Sequence, residues 1–192
     1  MNQSNSFVSI VSGLPRSGTS MMMRMLDLGG MPVVIDDIRT ADDDNPRGYY
    51  EFEPVKQTKE DSSWVKDAVG KGVKMVYSLL YDLPAEFEYR VLFMRRSLDE
   101  VLASQQVMLD RQGMGDGGAN DDKMRELFVS QLTDFEKWIA GQPNFRMIEV
   151  NYNQMLEDPQ LQVPKINDFL GGQLDTDAML GVVDPSLYRN RR

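Results

Sequence analysis

Two groups of residues in this chain are placed to hold anions, and a third supplies carboxylates. The first lies in Gly13-Leu-Pro-Arg-Ser-Gly18-Thr19-Ser20. Phe7, Val8, Ile10 and Val11 before it read as a short strand, and the residues after it follow helical spacing. Strand, glycine loop and helix in that order aim several backbone N–H groups and a helix N-terminus at one anionic group. The spacing Gly-x4-Gly is that of a phosphate loop, but Thr19 stands where the lysine of a nucleoside-triphosphate site would be. Arg16 supplies a positive charge from an earlier position. The second group is Arg96 and Ser104, eight residues apart at a strand-to-helix junction. An arginine at the end of a strand and a hydroxyl up the next helix can grip one phosphate between them. The third is Glu51 and Glu53. If Glu51-Phe52-Glu53 is extended, alternation puts both carboxylates on one side; the alternative is a pair of surface carboxylates that favour the dipole of a helix starting there.

The elements that must position these groups alternate between strand and helix. Met21, Met22, Met25, Leu26 and Leu28 recur at helical spacing and stop at Gly29-Gly30. We read the methionines as core packing. Residues 33–35 read as a short extended run, and residues 36–48 as a polar, turn-rich surface loop carrying Asp42, Asp43 and Asp44. The pattern predicts an amphipathic helix over 54–69, a strand over 73–77, a short helix over 79–83 and a buried strand over 90–94. Lys74 is read as a strand-edge lysine, with a place in the site as the alternative. Ser97-Leu-Asp-Glu100 is a capping box that opens a helix. Residues 113–120 are glycine-rich and read as a loop, either a lid near the site or a plain linker. A helix over 123–140, a strand over 145–150 and a helix over 164–170 follow. Alternating strands and helices imply a mostly parallel sheet with helices on both faces. No internal repeat or linker is visible, so residues 1–192 read as one domain.

Composition narrows the chemistry. The 192 residues are 41% hydrophobic and 27% charged, the balance of a globular protein that keeps its core away from water. There is no cysteine, so disulfides, thiolate catalysis and Cys-ligated zinc are excluded. There is no histidine either, which removes every His-based acid, base or metal ligand. A net charge of −9 argues against a nucleic-acid surface, so an anionic ligand needs a local basic pocket. No apolar run has membrane-spanning length and no secretory signal is visible, which leads us to expect a cytoplasmic protein without membrane insertion. Oligomeric state is left open.

Three segments carry a family resemblance. Leu14-Pro15-Arg16-Ser17-Gly18-Thr19-Ser20 resembles the 5′-phosphosulfate loop of sulfotransferases that use 3′-phosphoadenosine 5′-phosphosulfate (PAPS). Asn45-Pro-Arg-Gly-Tyr-Tyr-Glu51 resembles the NP-x-G-[FY]-[FY]-E segment of bacterial members. Arg96 to Ser104 is similar to the family's R-x-P-x-D-x4-S element for the 3′-phosphate, with Leu98 in place of the proline and Asp99 read as its acid. Asn151-Tyr-Asn-Gln-Met-Leu-Glu-Asp158-Pro159 also resembles a late family segment.

The resemblance implies a P-loop NTPase-like α/β fold of three layers. It implies sulfuryl transfer from PAPS, without a metal, to a hydroxyl or amine of a small-molecule or carbohydrate acceptor. Pro15, Arg16, Ser17, Gly18, Thr19 and Ser20 would hold the 5′-phosphate, with Arg16 stabilising charge on the bridging oxygen. Arg96 and Ser104 would hold the 3′-phosphate. A group must take the acceptor's proton, and Glu51 is the first choice and Glu53 the second. Tyr188 and Arg189, in a basic tail, would close over the adenine and the 3′-phosphate. Two rivals stand beside this reading: a nucleotide-dependent kinase or NTPase on the same fold, and a non-catalytic module that binds PAPS or its desulfated product.

Overall fold

Strand β1 (Phe7–Gly13) is buried along its whole length. Its β-branched and aromatic residues suit a central strand covered on both faces. β3 (Glu88–Arg95) pairs with it from Phe7↔Glu88 to Gly13↔Met94, β2 (Gly72–Lys74) pairs on its other side, and β4 (Phe145–Asn151) pairs with β3. All pairs are parallel, in the order β2-β1-β3-β4. The chain goes from β1 to one side for β2 and then to the other for β3. The sheet therefore switches direction beside β1, and the crevice outside the carboxyl ends of the strands is where such folds bind ligands. The glycine loop leaves β1 at that point. The computed structural model describes residues 6–36, 38, 48–111, 113 and 121–184.

Helices cover both faces, which makes the three layers expected from sequence. On one face Val8, Ile10, Val73, Val91 and Phe93 pack against Trp64, Phe128, Leu132 and Phe135. Phe128, Leu132 and Phe135 belong to α3 (Asp121–Ala140). On the other face Val11, Leu92, Met94 and Val150 pack against Met22, Met25 and Leu26 of α1 (Thr19–Leu28). Met155 of α4 (Tyr152–Glu157), Val163 and Ile166 of α5 (Pro159–Phe169) and Met179 of α6 (Thr176–Leu180) complete that layer. α2 (Leu98–Arg111) follows β3. Among the described residues no helix is long and apolar enough to cross a membrane.

Several elements differ from the sequence expectation. The stretch 54–69 is two 3-10 turns, Glu53–Gln57 and Ser63–Ala68. Pro54 is the second residue of the first, and between them the Asp61 carboxylate accepts from the Ser63 N–H at 2.9 Å. Such a local side-chain bond competes with the helical ladder. Residues Tyr77–Asp82 also form a 3-10 turn, and β2 ends at Lys74. α5 starts five residues before the expected helix, with Pro159 in its first turn, where the missing N–H costs nothing. α6 was not expected; Asp175 caps it by accepting from the Ala178 N–H at 2.9 Å.

Candidate active site

The loop after β1 holds its shape through two glycines. Gly13 has φ +145, and a Cβ there would lie 2.7 Å from the Met94 carbonyl and from the Ser17 hydroxyl. Gly18 has φ +98, and a Cβ would lie 2.3 Å from the Tyr152 ring. Arg16, between them, is itself left-handed at φ 70, an uncommon state for a residue with a Cβ. Ser17 is buried; its N–H and its hydroxyl both donate to the Leu14 carbonyl, at 3.2 and 2.7 Å. Ser17 thus ties the loop internally. The first turn of α1 begins at Thr19 without a side-chain cap, so the N–H groups of Thr19, Ser20 and Met21 have no acceptor within the helix. Thr19, Ser20 and Met21 all line the cavity described below.

The end of β3 and the start of α2 close over this loop. Arg96 donates from Nη1 to the Arg16 carbonyl at 3.0 Å and from Nε to the Glu100 carboxylate at 2.8 Å. Its guanidinium lies 4.7 Å from the centre of the Tyr152 ring. Glu100 also accepts from the Asn153 side chain at 3.0 Å. Burial pushes the Tyr152 hydroxyl up from its ordinary value. The Arg16 Nε donates to the Ser104 hydroxyl at 3.0 Å. The two sequence-predicted anion elements therefore touch each other directly, through Arg16. Arg95 points elsewhere, to Glu149 at 2.7 Å and to Glu136. The acid paired with Arg96 is Glu100, while Asp99, at the acid position of the resembled motif, pairs with Arg125 at the surface.

Residues 48–51 bring the third group. Lys74, at the end of β2, donates to the Tyr49 carbonyl, lies 3.5 Å from the Ser20 hydroxyl and pairs with Glu51 at 3.5 Å. Ser20 in turn donates to the Tyr49 carbonyl at 3.2 Å. Tyr50 is left-handed at φ 53, and its hydroxyl donates to Asp27 at 3.0 Å. Burial and that carboxylate push the Tyr50 hydroxyl up to about 12. Glu53 is not beside Glu51. It opens a 3-10 turn and pairs with Lys56 at 2.5 Å, while its N–H donates to Asp36. The chain turns at Glu53, so the alternation that would have put both carboxylates on one side does not extend that far.

One cavity of about 560 Å³ joins these groups. Leu14, Pro15, Arg16, Gly18, Thr19, Ser20, Glu51, Lys74, Arg96 and Ser104 all lie on its wall. It crosses the carboxyl edge of the sheet. On the β4 side it is bounded by Met21, Arg24, Tyr152, Leu156, Val182 and Asp184, and on the β2 side by Phe52, Val55, Met75, Val76 and Leu79. α2 roofs it with Ser104, Val107, Met108 and Arg111, one helical stripe at i, i+3, i+4 and i+7. Arg24, four residues after Ser20 and on the same face of α1, has a buried Nε with no hydrogen-bond partner. Among the described residues, no group of three or more acidic, histidine or cysteine side chains could hold a metal. Tyr188, Arg189, Asn45, Pro46, Arg47, the acidic run 42–44 and residues 114–120 lie outside the described residues.

A family model for the sulfotransferase domain matches residues 8–192. The chain belongs to the sulfotransferase family. Among solved structures, this sulfotransferase is similar to the sulfotransferase domain from the curacin biosynthetic pathway, at 14% identity and TM-score 0.54, over 93% of this chain and 78% of that one. It is also similar to retinol dehydratase in complex with androsterone and the inactive cofactor PAP, at 18% identity and TM-score 0.52, over 91% of this chain and 62% of that one. At these identities the likeness is one of fold. No curated protein matches the sequence.

The sulfotransferase also holds site residues that sequence reading missed or placed second. Lys74 is on the cavity wall instead of being only a strand-edge lysine. Glu100 was read only as part of a capping box, and Tyr152 and Arg24 were not singled out, although Glu100 and Arg24 each stand four residues from a candidate on the same helix.

Proposed function

We propose that this sulfotransferase moves a sulfuryl group from PAPS to a hydroxyl or amine of a small-molecule or carbohydrate acceptor. The observation that carries this is the convergence of two anion-binding elements and a carboxylate–lysine pair on one cavity. The donor set fits a nucleotide with phosphates at both ends of its ribose. Uncapped first-turn N–H groups of α1 are open to one anion, and Arg96, Arg16 and Ser104 bound a second position. PAPS supplies a sulfuryl group on a good leaving phosphate. Pro15 and Gly18 shape the loop, and Thr19 and Ser20 hold the 5′-phosphate.

In the transfer, a bond forms between the acceptor oxygen and sulfur as the bond from sulfur to the 5′-phosphate oxygen breaks. Glu51 takes the acceptor's proton, and the electron pair stays on the departing phosphate. Arg16 and Lys74 stabilise the negative charge that gathers there, acting from fixed positions on the cavity wall. Lys74 also holds Glu51 in place. Tyr188 and Arg189 would complete the nucleotide end.

Calorimetric titration with 3′-phosphoadenosine 5′-phosphate (PAP), against ATP with magnesium, tests the reading. Binding of PAP that Arg96→Ala with Ser104→Ala abolishes is the expected result. Binding of ATP alone would overturn it and point to phosphoryl transfer.

A further inference from the structure

The two ends of the cavity differ in chemistry. Around the loop and the β4 side its wall carries guanidinium, hydroxyl and N–H groups. On the β2 side, beyond Glu51 and Lys74, the apolar wall among the described residues is Phe52, Val55, Met75, Val76, Leu79 and Val107. Val76 and Val107 remain about 40% exposed (39% and 40%), although they are large apolar side chains. Both face this space, so a ligand there would cover them. Among the described residues, the charged side chains that the wall adds on this side, Lys56 and Arg111, are exposed.

We infer that the acceptor is an apolar alcohol: one hydroxyl placed at Glu51 and Lys74, on a body without further polar groups for some distance. This inference rests on the sulfuryl-transfer reading and chooses within the acceptors that reading allows. A sugar carries a hydroxyl on nearly every carbon. In this lobe those hydroxyls would leave water and meet Val, Leu, Met and Phe side chains, and a buried hydroxyl without a partner is strongly unfavourable. A hydrocarbon body loses nothing there and covers exposed apolar surface. The step balances as before: the alcohol oxygen bonds to sulfur, its proton goes to Glu51, and the bridging oxygen leaves with the nucleotide.

The test is a homologous series of primary alcohols, from ethanol to octanol, assayed for PAPS-dependent sulfation beside glucose and a short oligosaccharide. PAP binding by calorimetry is measured on the same preparation. If the lobe takes the chain, kcat/KM rises about fourfold per added methylene until the lobe is filled, and the sugars are poor acceptors. Val76→Asp then flattens the series while PAP binding stays at the wild-type level. The series on wild-type protein decides the matter even if that variant does not fold. PAP binding with a flat alcohol series, with preference for the sugars, or with no transfer to either overturns the apolar acceptor and leaves the nucleotide site standing. Failure to bind PAP overturns both.

Discussion

Replacing Glu100 with glutamine separates the scaffold role of this carboxylate from ligand binding. Glu100 and Arg96 are both nearly inaccessible, with side chains 3% and 8% exposed, and Glu100 accepts from two donors, Arg96 and Asn153. A glutamine has one carbonyl oxygen, so in this place its NH₂ must face either the guanidinium or the Asn153 amide. Removing one partner of a buried ion pair costs roughly 3–5 kcal/mol. We expect the lower end, about 3 kcal/mol, because Arg96 keeps the Arg16 carbonyl at 3.0 Å and the Tyr152 ring at 4.7 Å. For a chain of this size about 3 kcal/mol lowers Tm by roughly 6–12 °C. The nucleotide should respond in the opposite direction. Arg96 stays oriented, and a carboxylate that competes with phosphate for it is gone, so PAP binds more tightly to Glu100→Gln and raises its Tm more than that of wild type. Melting curves with and without PAP, together with calorimetry, read both quantities. A Tm within about 2 °C of wild type, or weaker PAP binding, would refute the reasoning, because Glu100 would then be either unimportant to the fold or needed to aim Arg96.

Three further outcomes are expected. Gly18→Ala puts a methyl group into the Tyr152 ring at a left-handed position, so it should lower stability by about 2 kcal/mol or more and abolish PAP binding, measured by thermal melts and titration. Lys74→Met removes a cation beside Glu51, and kcat should fall by about a hundredfold or more in a sulfuryl-transfer assay while PAP affinity changes by much less. The hydroxyls of Tyr50, Tyr77, Tyr81, Tyr89 and Tyr152 are all raised chiefly by burial, so the folded state prefers them protonated. Their contribution is complete below the ordinary tyrosine value of 10.0 and is lost as pH rises above it. Denaturant melts should therefore show falling stability above pH 10, and Tyr50→Phe should lose less than wild type between pH 10 and about 12.

The parts of the site set by backbone chemistry were legible in the residues. Gly13 and Gly18 with Arg16 and Ser20 signalled a loop entering a helix, and the continuous apolar run before Arg95 signalled a buried strand. What was not legible depended on contacts between distant segments. Ser17 looked like a ligand residue, yet its hydroxyl closes the loop on Leu14. Lys74 looked peripheral because nothing local says that β2 lies beside β1 with its end at Ser20 and Tyr49. The helix expected over 54–69 failed for a local reason: the Asp61–Ser63 turn outweighs a weak apolar stripe. Glu51 and Glu53 could not be told apart by alternation, because the chain bends where the extended run was assumed to continue.

The stripe along α2 has a consequence for how such a protein changes over generations. Ser104 sits at the end of the stripe that meets Arg16, and Val107, Met108 and Arg111 follow within two turns toward the apolar lobe. The N-terminal part of the helix is anchored through Arg96, Glu100 and Arg16. Substitutions at 107, 108 and 111 thus alter the shape of the lobe without disturbing that anchorage. Inherited variation in what the protein accepts can accumulate on one helix face, one residue at a time, while its grip on the donor is preserved.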